Sequence, residues 1–522
     1  MKNKNDFFQD RKGNKVLLTG LQCHNSSSST DMIDITISAI KKHGGNLLEA
    51  PVYWSSVEPI ENVYKFDDVK ELIDKAKEAN LFLIPLWFGF SKNGLSTYSP
   101  EYVKTNPSVY KLAENAAGIA VESLTANCEE TLDRDKKAFL KFIQFVEKYD
   151  RDGTVIAIQV ENEVGLVGTD RDYSAKSTMQ FNNEVPEIIR DKHNVQKNNW
   201  KDVFGRHANE AFTAWQFASY IQELASEAKE IFEIPYIINI SIEVNGYEEP
   251  GHSYISGGPV SRVIDIYKKI AKDIYLYGPD IYLAAERDFR KACDAYNSED
   301  NPLFIPESLH GGVGPAMNLL IAVAEYNAIG VCAFGAESGI YNDELTEEAE
   351  YVASSMRMIS SLSPILIKNR GTGNVHAITQ QEFSTWQYIK TSDYHIVVSF
   401  INNPNKPQHY FGSRINLNVS ENENYINERG RGILVDCGEG EFYISGAGLC
   451  LEFTRIPNAN EEKPYAFIQS NISSQLHFLT IEEGHFDGDR WVCEYRRNGD
   501  EANYQLYVHK GQTIRVRLNT AI

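Results

Sequence analysis

No stretch of the sequence holds the roughly 18 consecutive apolar residues that a membrane-crossing helix needs. The first residues, Met1 to Asn14, lack the apolar centre of a secretory leader. Cysteine is sparse: seven residues, at positions 23, 128, 293, 332, 437, 450 and 493, with no CxxC pair and no Cys/His cluster. That pattern supports neither a zinc site nor a disulfide framework, and it suits a reducing compartment. The expected location is the cytoplasm, or the periplasm or cell exterior if a leader has been removed. Positive charge is also short, with 51 Lys and Arg against 72 Asp and Glu and a net charge of −21. Such a chain repels phosphate backbones and anionic lipid surfaces, so neither nucleic acid nor a membrane is an expected partner. His310-Gly311-Gly312-Val313-Gly314 is rich in glycine but no Lys-Ser/Thr follows, so it reads as a flexible loop and not as a phosphate loop. Ser308 beside His310 has no Gly-x-Ser-x-Gly context, which argues against a serine nucleophile. There is no internal repeat, and Ser26–Ser29 is too short a low-complexity patch to mean disorder.

What is present is a folding composition. Of 522 residues, 42% are hydrophobic and 24% charged, enough for two to four domains. From the start to about residue 365, short apolar runs alternate with helical stretches. The runs are Val16–Leu21, Asn46–Tyr53, Leu81–Phe88, Val155–Val160, Tyr236–Ile240, Ile274–Asp280, Leu303–Pro306 and Gly330–Phe334. Helical spacing marks Ile33–His43, Asp67–Ala79, Lys136–Tyr149 and Phe212–Phe232, with further helices near 260–272, 286–296 and 315–328. Continuous apolar strands are buried on both faces, as in parallel sheets. Eight β–α units over residues 1–365 predict an α/β fold, a (β/α)8 TIM barrel. A doubly wound open sheet is the alternative, but no Gly-rich phosphate loop follows the first strand. The long stretch Leu166–Asn209 stands where insertions shape a barrel's active site. After Ser363-Pro364 comes a turn-rich linker, Lys368–Asn374. Beyond it lie short alternating runs at Tyr388, His395–Ile401, Gly432–Val435, Phe442–Ile444, Leu449–Phe453, Ala466–Gln469, Trp491–Tyr495, Tyr504–Val508 and Thr513–Leu518. They predict one or two antiparallel β-sandwich units over residues 366–522.

The chemistry gathers at strand ends. The fourth strand runs into Glu161-Asn162-Glu163 and the seventh into Glu307. The carboxyl ends of barrel strands face the active site, and placing charge there costs solvation, which function explains. Carboxylates on strands four and seven would face each other across the mouth. Glycoside hydrolysis needs such a pair, one proton donor and one nucleophile or base, and a gap of about 5–5.5 Å would make the reaction retaining. Asp280, Glu243 and Glu337 end other strands and compete for the second role; the strand count favours Glu307.

Gln159-Val160-Glu161-Asn162-Glu163 resembles the acid/base motif of glycoside hydrolase family 35, the β-galactosidases of the retaining (β/α)8 clan. Trp54, Glu58-Pro59 and Phe66-Asp67 are similar to that family's stretch after the second strand. His24 to Ser29, Gly168 to Asp172 and Phe204-Gly205 resemble a bacterial branch with a β-rich C-terminal domain. The resemblance implies Glu163 as general acid/base, Glu307 as nucleophile and Asn162 as a partner of the sugar 2-OH. It implies hydrolysis of terminal β-D-galactosides without cofactor or metal, and a glycoside or oligosaccharide as the partner molecule. Two departures bear on the sugar: Pro51 replaces a tyrosine, and Phe88 to Asn93-Gly94 replaces the segment after strand three. Another glycosidase specificity (β-glucosidase, β-xylosidase or arabinosidase) therefore stays open. A non-catalytic carbohydrate-binding protein would be expected to lose one of the two carboxylates.

Further candidates are less sharply marked. Tyr282 could touch the nucleophile or pack in the core. Trp54 could stack on a sugar or fill the barrel. His24 and Asn25 end the first strand, and Asn93 follows the third; all three are candidate substrate contacts. Glu58 reads as fixing its loop. Arg171 and Asp172 could form a subsite or pair at the surface. Trp200, Trp215 and Tyr220 read as helix packing. Trp386, Tyr388, Phe442 and Trp491 do not separate glycan binding by the C-terminal unit from packing, and a homo-oligomer stays open.

Overall fold

The computed structural model describes residues 6–26, 32–190, 198–243, 248–382, 384–400, 429–456, 477–498 and 505–521. Eight parallel strands form one sheet: β1 (Leu18–Gln22), β2 (Leu47–Tyr53), β3 (Phe82–Lys92), β4 (Ile158–Asn162), β5 (Tyr236–Ser241), β6 (Ile274–Asp280), β7 (Phe304–Ile305) and β8 (Gly330–Phe334). The order β6-β5-β4-β3-β2-β1-β8-β7 becomes a closed ring through a parallel bridge between Ile281 and Ser308, where Ile281 N–H donates to the Glu307 carbonyl at 2.8 Å. β1, β2 and β4 are buried along their whole length, as strands of a parallel sheet covered on both faces are; their polar members Gln22, Glu49, Glu161 and Asn162 are buried with them.

The helices α1 (Met32–His43), α2 (Asp67–Glu78), α3 (Glu129–Tyr149), α4 (Ala208–Ile231), α5 (Ile264–Ile270), α6 (Glu286–Tyr296), α7 (Val313–Ala324) and α8 (Glu347–Asn369) surround the strands. In α2, Val69, Leu72, Ile73 and Ala76 form the buried stripe at the three- and four-residue spacing of an amphipathic helix. α8 starts at Thr346, whose side chain accepts from Ala349 N–H, and carries Glu347, Glu348 and Glu350 in its first turn, where acidic groups complement the helix dipole. It does not stop at Ser363-Pro364. Pro364 lies inside the helix, and Leu362 and Leu366 on either side of it are buried in the barrel's core cluster. Tertiary burial outweighs the one backbone hydrogen bond that proline removes. Lys368 and Asn369, expected to open a linker, are helical.

The C-terminal part is a β-sandwich of a six-stranded and a four-stranded antiparallel sheet. Its strands are β9 (Val375–Thr379), β10 (Trp386–Lys390), β11 (Tyr394–Phe400), β12 (Arg431–Asp436), β13 (Glu441–Ala447), β14 (Leu449–Arg455), β15 (Phe478–Asp487), β16 (Arg490–Arg497), β17 (Leu506–Val508) and β18 (Gln512–Leu518). The sheets are ordered β9-β12-β13-β18-β15-β16 and β10-β11-β14-β17. β12 is buried on both faces because successive side chains alternate: Ile433 and Val435 join the barrel's core, and Leu434 joins the core between the two sheets. The Arg431 guanidinium reaches the hydroxyls of Ser354 and Ser355 on α8. β9 and β15 are strands the sequence pattern did not mark, and the strand expected at Ala466–Gln469 lies outside the described residues.

Candidate active site

β4 delivers Asn162 and Glu163 to the barrel mouth through a sharp turn. Glu161 and Glu163 take left-handed φ angles of 60° and 43°, a conformation that costs a residue with a Cβ about 1–2 kcal/mol. Neighbouring strands hold it. Glu163 N–H donates to Asn239 Oδ1 of β5 at 2.9 Å. Asn93 N–H donates to the Asn162 carbonyl at 3.1 Å and Gly94 N–H to the Glu163 carbonyl at 3.2 Å.

Glu307 follows β7. Three donors from three different strand ends converge on its carboxylate: Gln22 Nε2 at 2.9 Å, the Tyr282 hydroxyl at 2.5 Å and Asn239 Nδ2 at 3.3 Å. That is the arrangement an acceptor-only carboxylate needs. Asn239 therefore ties the two glutamates together, through the backbone of one and the side chain of the other. Its Nδ2 also donates to Asp280 Oδ2 at 2.8 Å, and Asp280 is in turn hydrogen-bonded to the Glu163 carboxyl.

The electrostatics differ across this group. Burial, followed by the charge of Glu307, pushes the Glu163 carboxyl up to about 7, against the opposing pull of Lys92. Burial and the charges of Glu307 and Glu163 hold Asp280 well above the carboxylate range. Glu49 of β2 is fully buried and is pushed up by burial and then by Glu307. Burial lowers the Lys92 ammonium while the neighbouring acids oppose that shift. Like charges this close cannot all ionise out of water, so the cluster retains protons near neutrality.

Lys92 and Gln22 belong to the site and the sequence did not point to them. Lys92 is 7% exposed; its Nζ donates to Asn162 Oδ1 and to Asn93 Oδ1, each at 2.6 Å. An ammonium can only donate, so it fixes the oxygen end of the Asn162 amide. The other end, Asn162 Nδ2, is buried without a hydrogen-bond partner, a free donor at the strand end that carries Glu163. Tyr282 lies on Glu307 with its ring 42% exposed. Asn93 is exposed beside Lys92.

The other candidates are placed as follows. His24 donates from its backbone to Glu337 and meets the Ser338 hydroxyl through Nε2 at 2.8 Å. The Asn25 carbonyl accepts from the Tyr53 hydroxyl, and its side-chain Oδ1 is buried without a partner. Trp54 corrects an expectation: it is 0% exposed and its indole N–H donates to Glu58 at 3.1 Å, so no ring face is open to a sugar. Glu58 is a buried hub that also accepts from Tyr102, the Asn62 backbone and Arg134. Glu243 is held by Ser261 and Tyr296, and Glu337 by Thr36 and the His24 backbone, so neither is part of the Asn239-centred cluster. Arg171 and Asp172 are buried, not paired at the surface. The guanidinium lies 3.7 Å from the Tyr173 ring centre, and Asp172 accepts from Thr125, Ser174 and the Glu114 backbone. The Ser308 hydroxyl donates to the Cys332 carbonyl, away from His310. Among the described residues no group of three or more His, Cys, Asp or Glu is arranged to hold a metal ion, and no helix is long and apolar enough to cross a membrane.

Comparison with known proteins adds two family matches. Residues 25–215 match the glycoside hydrolase family 42 model, described as beta-galactosidase; residues 352–509 match a domain of unknown function, DUF5597. No curated protein matches significantly. Among solved structures, a catalytic mutant of Gan42B, a family 42 β-galactosidase from G. stearothermophilus, superposes with a TM-score of 0.51 at 15% identity, over 70% of this chain and 59% of that one. Another structure of Gan42B gives 0.50 at 16% identity, over 69% and 59%. The β-galactosidase of Marinomonas ef1 gives 0.49 at 11% identity, over 67% and 60%. The chain thus spans about 60% of the length of these galactosidases. The matched segment includes Asn162-Glu163 and ends before Glu307. The family 35 resemblance is corrected accordingly: over the first half of its barrel, the chain is similar to the β-galactosidases of family 42.

Proposed function

We propose that the protein is a retaining exo-glycosidase that hydrolyses terminal β-D-galactosides by double displacement. The observation that carries the reading is the contrast between two carboxyls joined through Asn239. Glu163 is pushed up to about 7 by burial and by Glu307, while Glu307 receives three hydrogen-bond donors. One is thus equipped as a proton donor at neutral pH and the other as an acceptor-only nucleophile. The galactose preference is supported by the family 42 match.

In the first step Glu163 gives its proton to the glycosidic oxygen. A Glu307 oxygen attacks the anomeric carbon, the bond to the aglycone breaks, and a glycosyl ester remains on Glu307. In the second step Glu163 takes a proton from water, the water oxygen attacks the same carbon, and the sugar leaves with its configuration retained. Tyr282, Gln22 and Asn239 hold Glu307 on line. Asn162 offers Nδ2 to the sugar 2-OH, with Lys92 fixing the opposite end of the amide. His24, Asn25 and Asn93 supply polar contacts around the rim. The barrel, whose last helix α8 runs to Asn369, does the chemistry, and the sandwich that follows packs on α8 through β12. A cytoplasmic setting suits the sparse cysteines.

A nitrophenyl glycoside panel tests the reading. Cleavage of the β-D-galactoside, abolished by Glu307→Ala and restored by azide as the inverted glycosyl azide, is the expected result. Cleavage of a different sugar would retain the mechanism and move the specificity to Pro51, Lys92 and Asn93. No cleavage of any glycoside would overturn it.

A further inference from the structure

A second pair of carboxyls lies behind the strand that carries the acid. β3 and β4 pair regularly at Leu86–Gln159 and Trp87–Val160, and the register then jumps to Lys92–Asn162. Phe88 to Ser91 thus oppose the single residue Glu161. In this gap the Glu161 carboxylate does what a strand would do. It accepts the backbone N–H groups of Gly89 at 3.2 Å, Phe90 at 3.4 Å and Ser91 at 2.9 Å. The bulge would otherwise leave these donors buried and unpaired, at a desolvation cost.

Asp135 of α3 meets Glu161 from behind. The Trp87 indole N–H and the Tyr220 hydroxyl donate to Asp135, each at 2.9 Å, and the two carboxyls are hydrogen-bonded to each other. Both are 0% exposed. Carboxyls in contact and out of water share a proton. Burial and then Asp135 push Glu161 well up, and burial pushes Asp135 to about 6. The space is closed to any other group: a Cβ on Gly89 would come within 2.4 Å of Glu161 Oε1 and 2.6 Å of Asp135 Oδ1. The far end of the bulge is Lys92, which holds Asn162, and Glu161 adjoins that same asparagine.

We propose that Glu161 and Asp135 are positioning residues, a proton-sharing pair that closes the β3 bulge and thereby sets both Glu163 and the Lys92–Asn162 contact for the acid step. The inference rests on the glycosidase reading of Glu163. Its readout is leaving-group dependence, because a dinitrophenolate departs without protonation and a phenolate does not.

The test uses the full-length enzyme with phenyl and dinitrophenyl β-D-galactosides, the folded fraction being checked by circular dichroism. Glu161→Gln keeps one acceptor oxygen for the Gly89 and Ser91 N–H groups and a donor for Asp135, giving up only the long 3.4 Å Phe90 contact, so it should stay within about threefold of wild type on both substrates. Glu161→Ala should lose a large part of the roughly 100-fold or greater benefit of general acid catalysis on the phenyl substrate, with little loss on the dinitrophenyl one. Asp135→Ala serves the same purpose if Glu161→Ala does not fold. Equal losses on both substrates, or a Glu161→Gln enzyme as impaired as the alanine variant, would overturn the inference while leaving the glycosidase reading intact. A wild type that cleaves no aryl glycoside of any sugar would overturn both.

Discussion

The barrel mouth and the C-terminal sandwich both bury charge, and they treat it in opposite ways. In the sandwich, acids meet arginines. Arg497, 1% exposed, lies 2.6 Å from Glu483; Glu482 is reached by Arg496 at 2.5 Å and by Arg515 at 3.5 Å. At the mouth, Glu49, Asp280 and Glu307 are buried and Glu163 is half-buried, with Lys92 beside them, and Glu49, Glu163 and Asp280 are shifted upward. Paired buried charge is ordinary architecture. Unpaired acids held out of water are costly, and they are useful where a carboxyl must keep a proton at neutral pH.

The sharpest way to break this comparison is to remove the nucleophile. Glu307→Ala should lower kcat by about 10⁴-fold or more, as losses of a nucleophile do, with the protein still folded by circular dichroism. Glu163→Gln should cost about 10²–10⁴-fold on substrates with poor leaving groups, and far less on dinitrophenyl substrates. In wild type the alkaline limb of kcat/KM should fall near pH 7, where Glu163 loses its proton; that limb should vanish in Glu163→Gln. The same shift has a stability consequence. A carboxyl raised in the folded state binds more protons there than when unfolded, so its contribution is fully present below about pH 4.5 and is lost as pH rises through about 7. Glu163→Gln should flatten that part of the stability profile. Lys92→Met should reduce kcat/KM by about 10–100-fold, the worth of a charged hydrogen bond that sets Asn162, and should spare substrates lacking a 2-OH. In the sandwich the effect should reverse in kind. Arg497→Ala should destabilise by about 3–5 kcal/mol, read as a lower Tm, with kcat and KM unchanged in the folded protein.

The parts that could be read from sequence were those set by local patterning. Strands buried on both faces are continuous apolar runs, so β1 to β8 stood out, and a polar residue ending such a run, as at Glu163 and Glu307, is conspicuous. Properties that depend on register or on distant partners were not legible. Lys92 enters the site only because β3 carries four residues, Phe88 to Ser91, opposite the single residue Glu161, and the same bulge gives Glu161 its task. Trp54 sits in a suitable motif, yet its indole points to Glu58. Pro364 signals a helix end, but α8 runs through it because both flanking leucines are buried. The aromatics of the sandwich divide in a way composition cannot foretell: Phe442 is 0% exposed and Trp386 is 57% exposed. The family 35 resemblance has a related origin: it rests on a five-residue strand end, whereas the similarity over residues 25–215 is to family 42.

The most direct test is the configuration of the first-formed sugar, followed by proton NMR from the start of hydrolysis of an aryl β-D-galactoside. The β-anomer, appearing before mutarotation, is the expected result for displacement through a Glu307 ester. The α-anomer as first product would contradict it and make Glu307 a base that activates water.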